Sequence, residues 1–192
     1  VLECLRQPLE DRVVTVTRVK ASVEYPASFM LVGSMNPCPC GNYGVKGKVC
    51  KCTLASIRKY RAKISGPLLD RIDLQINVDN VEYNDLTSNR EEESSADVKK
   101  RVEFARRVQF ERFKKDKIKI NAEMGEKQIK EYCTLDMECE RILKSAFERL
   151  DLSARARSRI IKVARTIADL DMSENIKPSH ILEAVGYRSS LD

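Results

Sequence analysis

Phe29-Met30-Leu31-Val32-Gly33-Ser34-Met35-Asn36-Pro37-Cys38-Pro39-Cys40-Gly41 joins an apolar run to an amide and a closely spaced pair of thiols. An apolar run without polar alternation that closes on small residues is the pattern of a strand buried on both faces of a parallel sheet. Such a strand hands its successors to the carboxyl edge of the sheet, where ligands sit in open α/β folds. Asn36 is therefore expected at a ligand-facing edge, and an α/β region is expected around it.

Upstream, Val14 and Val16, then Val23 and Tyr25, flank Arg18-Val19-Lys20-Ala21-Ser22. This reads as two short strands joined by a basic tip. Val1, Leu2, Leu5 and Leu9 recur at helical spacing, and that first helix is expected to close near Pro8. Val1 is no natural initiator and the chain opens mid-pattern, so a piece of a longer polypeptide is expected.

Downstream, Cys38-Pro39-Cys40 and Cys50-Lys51-Cys52 form two CxC pairs separated by nine residues, Gly41 through Val49. Four thiolates suit the tetrahedral preference of zinc, and Gly41, Gly44 and Gly47 free the intervening loop to fold back. Structural zinc is the expected occupant, with no coordination position left open for catalysis. Two disulfides, an iron–sulfur cluster or unliganded thiols are the alternatives the residues leave. Cys4, Cys133 and Cys139 fall in helical patterns among apolar neighbours and are expected to be small core residues.

Thr53 can cap a helix running to about Lys63, which Gly66-Pro67 breaks. Leu68-Leu69-Asp70-Arg71 then forms a turn or short helix, and Ile72, Leu74, Ile76 and Val78 alternate with polar residues as a strand. Asp79 to Glu93 is polar and reads as a linker. From Ser95 to about Lys115 a charged helix is expected, with Val98, Val102, Ala105 and Val108 or Gln109 inward. The last third is helical in four segments, 126–132, 137–150, 154–171 and 178–186, with Ser153 capping the third and Lys177-Pro178 opening the fourth. The expected organisation is an α/β part over 1–80, a linker and connecting helix over 81–120, and an all-α part over 121–192.

With 192 residues, 42% of them hydrophobic, the chain can build one ordinary or two small cores and is not disordered. Neither an apolar stretch of membrane length nor a signal-peptide pattern occurs, so no membrane association and a cytoplasmic location are expected. The net charge of +6 is compatible with a nucleic-acid partner and equally with a solvated surface. His180 is the single histidine and no nucleophile pattern surrounds it, so a capping or surface role is expected rather than Ser-His-Asp chemistry.

The string Val32 to Gly41, the Cys50-Lys51-Cys52 pair, Ser65-Gly66-Pro67-Leu68-Leu69-Asp70-Arg71-Ile72-Asp73, and Leu152 to Ala156 leading into Val163 to Leu170 occur in order. Together they resemble the magnesium-chelatase-like AAA+ ATPases of the ComM type. The resemblance implies the C-terminal part of an AAA+ core, with parallel strands, an inserted hairpin and a four-cysteine loop, followed by a helical lid. Asn36 matches the sensor 1 position, where an amide that donates and accepts at once orients the attacking water. Arg71 matches the arginine finger offered to a neighbouring subunit's nucleotide, and Arg155 the sensor 2 arginine. Arg155 taken alone, beside Arg157, Arg159 and Arg165, reads as a surface residue. Arg18 and Lys20 match the hairpin that points into the channel of related ring helicases, which makes them candidate phosphate contacts.

The family further implies ATP and magnesium as cofactors, a homo-oligomeric ring, and DNA as the working partner of a helicase or branch-migration motor. A phosphate-cradling Gly-rich loop and a Walker B strand are absent, since neither Gly125-Glu126-Lys127 nor Gly47-Lys48 has the required spacing or a following Ser/Thr. This stretch alone is expected neither to bind ATP tightly nor to hydrolyse it. Two other functions are considered. One is the ATPase motor of a metal chelatase, against which the cysteine loop argues; the other is a non-enzymatic, zinc-stabilised module for nucleic acid or a partner.

Overall fold

A computed structural model describes residues 2–78, 93–150 and 152–188. The chain divides into two compact units, one through Val1–Ile72 and one that takes in Asp73–Ile76 with Thr87–Asp192. The linker expected over Asp79 to Glu93 lies, except for Glu93, outside the described residues.

In the first unit a 3-10 turn, Leu2–Leu5, leads into helix α1, Arg6–Asp11. That helix runs past Pro8, as the missing N–H of proline costs nothing in a first turn. Arg12 ends it in the left-handed conformation at φ 58°. Cys4 is exposed, because a single 3-10 turn buries no face, and so is not the core residue expected.

Strands β1, Val13–Arg18, and β2, Ala21–Pro26, pair antiparallel with Val14 opposite Tyr25, Val16 opposite Val23 and Arg18 opposite Ala21. Alternation therefore puts Val14, Val16, Val23 and Tyr25 on one face, and Thr15, Thr17, Ser22 and Glu24 on the other. Among the described residues this hairpin is the only sheet.

The strands expected over Phe29 to Ser34 and Ile72 to Val78 are unpaired, which corrects the parallel-sheet reading for the described residues. Met30 is 87% exposed and Val78 89%. A β-run exists only as part of a ladder, and no described segment supplies the partner. Helix α2, Leu54–Arg61, begins where Thr53 Oγ1 accepts the N–H of Ser56 at 3.2 Å. Helix α3, Gly66–Leu69, is capped by Ser65 in the same way, with Pro67 in its first turn.

The second unit is helical: α4 Ser95–Arg112, a 3-10 turn Asn121–Glu123, α5 Glu126–Tyr132, α6 Met137–Arg149, α7 Ala154–Leu170 and α8 Pro178–Gly186. Helix α7 is its axis, packing against α4, α5, α8 and the 3-10 turn. Ala156, Ile160, Ile161, Ala164 and Ala168 recur at one-turn spacing and are at most 1% exposed. The alanines let neighbouring helices approach, and Leu143 and Ile181 fill the space between. Only the C-terminal half of α4 is buried. Ala105 and Gln109 are covered, whereas Val98 and Val102 are 39% and 44% exposed, contrary to the inward face expected.

A polar network crosses this unit. Asp169 receives both guanidinium ends of Arg112, the Nε of Arg165 at 3.1 Å and the amide of Asn121 at 2.8 Å. Arg165 also donates to the carbonyls of Ser173 and Glu174 at 2.7 and 2.8 Å. It is thus buried, and burial pulls its pKa down. His180 is buried as well: its Nδ1 accepts the N–H of Lys177 at 3.1 Å, closing the start of α8, while Nε2 lies 3.2 Å from Asp171.

Candidate functional site

The four cysteines of the two CxC pairs converge. Cys38 Sγ lies 3.4 Å from Cys40 Sγ and 3.7 Å from Cys50 Sγ, Cys40 and Cys50 are 3.6 Å apart, and all four sulfurs fall within 4.8 Å of one another. Four sulfurs about 2.3 Å from a tetrahedral ion stand about 3.8 Å apart, so the spacing fits a metal centre. It does not fit closed disulfides, whose sulfurs are about 2.05 Å apart, and all four thiols are free. Gly41, Gly44 and Gly47 all take positive φ, between 75° and 78°, and fold the nine-residue loop back on itself.

The electrostatics also call for a cation. N–H groups of Asn42 and Lys51 stabilise the Cys40 thiolate and bring its pKa to about 6. Lost solvation and then the neighbouring Cys40 sulfur push Cys52 up to about 12. Cys50 is likewise raised. Sulfurs packed this closely cannot all ionise unless positive charge is placed among them. The donors are four soft thiolates, which select zinc or similar ions over magnesium or calcium.

The loop is anchored to α2. Arg61 donates from Nε to the carbonyl of Pro37 at 3.3 Å, and its guanidinium lies 5.2 Å from the centre of the Tyr43 ring. The Tyr43 N–H in turn donates to Cys38 Sγ at 3.4 Å. Arg61 and Tyr43 were not singled out from the sequence. Nothing local marks them, because their role depends on the loop folding onto a helix that begins after its last ligand.

Asn36 is exposed and two residues before buried Cys38. Arg71 is 9% exposed; it donates to the Pro67 carbonyl at 2.6 Å and pairs with Glu10. Arg18 and Lys20 flank Val19 at an exposed hairpin tip. Arg155 is exposed in the first turn of α7. The structure thus brings the four cysteines together, with Asn36 at the edge of their loop.

Two family models cover nearly the whole chain: magnesium chelatase, subunit ChlI, over residues 1–86, and its C-terminal region over residues 92–188. The chain belongs to the magnesium-chelatase-like family. Among relatives of this family, the competence protein ComM of Haemophilus influenzae is 40% identical over 190 residues, covering 98% of this chain and 36% of ComM. The protein YifB of Salmonella typhimurium is 39% identical over 189 residues, with the same coverage. A Mycobacterium tuberculosis relative, Rv2897c, is 32% identical over 189 residues, 98% of this chain and 37% of that protein. The chain thus spans about a third of the length of the curated relatives it matches, and it is a ComM-type member of the family. Among the described residues no helix is long and apolar enough to cross a membrane.

Proposed function

We propose that this stretch is the C-terminal part of a ring-forming AAA+ ATPase that works on DNA. The observation that carries the reading is the 40% identity, along 98% of the chain, to a protein named for competence. Within that scheme Asn36 orients the water that attacks the γ-phosphate of an ATP–magnesium complex held by other polypeptide. Arg71 reaches a neighbouring subunit's nucleotide, and Arg155 assists from the helical lid. A guanidinium suits both tasks because it stays charged and offers paired donors to phosphate oxygens. For Arg71 the task includes leaving Glu10, so the carboxylate holds the finger until a phosphate replaces it.

Zinc in the four-cysteine loop is structural in this scheme, since four protein ligands complete its tetrahedron. Arg18 and Lys20 are the DNA contacts, and their support is the exposed hairpin tip with Val19 standing wholly in solvent. ATPase assays of the full-length protein test the scheme. DNA should stimulate hydrolysis, and a combined Arg18→Ala, Lys20→Ala change should abolish that stimulation and reduce the salt slope of DNA binding by about 1 to 2. Absence of any DNA stimulation would refute it.

A second reading, the ATPase motor of a magnesium chelatase, is favoured by the description of the matching family. Rescue of a chelatase-deficient strain by the full-length gene would establish it in place of the first.

A further inference from the structure

Asn36 is held by no strand: the run before it is unpaired and largely exposed, and Asn36 itself faces solvent. A lone amide in that setting samples many rotamers, whereas a water-orienting group has to keep one. Beside it lies the cysteine loop. A methyl group built on Gly41 would lie 3.8 Å from both Cγ and Nδ2 of Asn36, so the amide faces Gly41 across the space that a side chain there would fill.

Gly41 is fixed in turn. Its N–H donates to the Cys38 carbonyl at 3.0 Å, and its φ of 78° belongs to a turn that only glycine forms without strain. Cys38 is fully buried and meets Cys40, Cys50 and the Tyr43 N–H through its sulfur. Between Asn36 and Cys38, the Pro37 carbonyl is clamped by Arg61. The Cys38–Gly41 turn thus adjoins Asn36 on both sides, and its Cys38 is one of the four converging sulfurs.

We propose that the Cys38–Gly41 turn, shut by the four-thiolate centre, is the positioning element of Asn36, so that loss of metal disables Asn36 without touching the nucleotide pocket. The proposal rests on the reading of Asn36 as the water-orienting amide for its catalytic consequence, but not for its geometry. The cysteines and Gly41 are positioning residues and touch no substrate.

The geometry is tested on the zinc-loaded 192-residue chain by 15N and methyl 13C NMR. The Asn36 side-chain NH2 signal is assigned by its disappearance in Asn36→Asp. Chelation of the metal should shift or broaden that signal while the methyl signals of Ile160 and Ile161 stay in place. An Asn36 signal unchanged on chelation overturns the proposal.

The consequence is tested in the full-length protein by a double-mutant cycle on ATP hydrolysis. Cys50→Ser should lower kcat at least about tenfold with KM for ATP unchanged, as expected for a misplaced catalytic group, and should add nothing further in an Asn36→Ala background. Gly41→Ala keeps all four thiols and provides a folded comparison. It should retain one equivalent of metal and lower kcat in the same direction. Additive losses for Cys50→Ser and Asn36→Ala, or unchanged kcat in Gly41→Ala with metal bound, overturn the positioning role. If instead Asn36→Ala leaves kcat intact while chelation still moves its NMR signal, the water-orienting reading of Asn36 fails and the geometric coupling stands.

Discussion

In the helical unit Leu143, Ile160, Ile161 and Ile181 are each at most 2% exposed, and they belong to one continuous apolar cluster. In Val1–Ile72 the buried side chains among the described residues are Pro8, Cys38, Ile57 and Leu68, scattered along the chain. The helical unit is therefore held by its own core. The Val1–Ile72 unit instead has a hairpin with both faces largely exposed and a loop drawn together by four thiols. Small regions that bury little apolar surface need a staple of another kind, and a metal is one. The difference implies that metal removal and core mutation should each damage one unit and spare the other.

The largest effect is expected from Cys38→Ser, which removes the one fully buried ligand of the loop. Bound zinc should fall from one equivalent to none by elemental analysis, and residues 37–53 should exchange amide hydrogens freely. Helix α7 should keep its protection. Retention of a full equivalent of zinc would remove the metal assignment.

Next in size is Asp169→Ala. The side chain of Asp169 is inaccessible to solvent and neutralises Arg112 and Arg165, which are 13% and 4% exposed. Removing one partner of a buried charge cluster leaves the others uncompensated, at a cost of about 3–5 kcal/mol. Urea unfolding followed by helical circular dichroism should show that loss, with zinc stoichiometry unchanged.

Much of the helical unit was legible because its signals are local. Ser153 accepts the N–H of Ala156 at 3.2 Å, as its place before an apolar periodic run predicts. The hairpin was legible for the same reason, through alternation on either side of Arg18 to Lys20. So was the thiol cluster, whose CxC spacing is itself the signal. Phe29 to Ser34 misled because the apolar run records what a strand would bury and says nothing of whether a partner lies beside it. The burial of Arg165 was not legible, because charge suggests solvent. Its burial depends on Asp169 one turn later and on two carbonyls beyond the helix end. Arg71 matched a motif, but its pairing with Glu10, 61 residues earlier in sequence, has no local trace.

A smaller effect tests the local signals themselves. Ser153→Ala deletes the cap of α7 and should cost about 1 kcal/mol. It should lower the urea midpoint of the helical unit without changing the slope. A loss several times larger would mean that α7 depends on that one bond more than on its apolar face.

Acid separates the two units by sign and order. Asp171 is held below the ordinary carboxylate range by its hydrogen bond to His180 and by Lys177. Its unfolded form takes up a proton at higher pH than the folded form does. The contribution is therefore fully present above the normal Asp pKa and is lost as pH falls through the depressed folded value. The carboxylate is exposed, so the loss is small and confined to strong acid. In the cysteine loop protons compete with metal for the same sulfurs, and metal affinity declines over the whole descent from neutrality. A zinc-release assay run alongside circular dichroism should therefore see metal leave at a higher pH than the one at which helix is lost. In Asp171→Asn the helix transition should lose its strong-acid component while the zinc curve stays in place. Coincident transitions would mean that the two units share a single stability, and the contrast between a core-held and a metal-held region would fail.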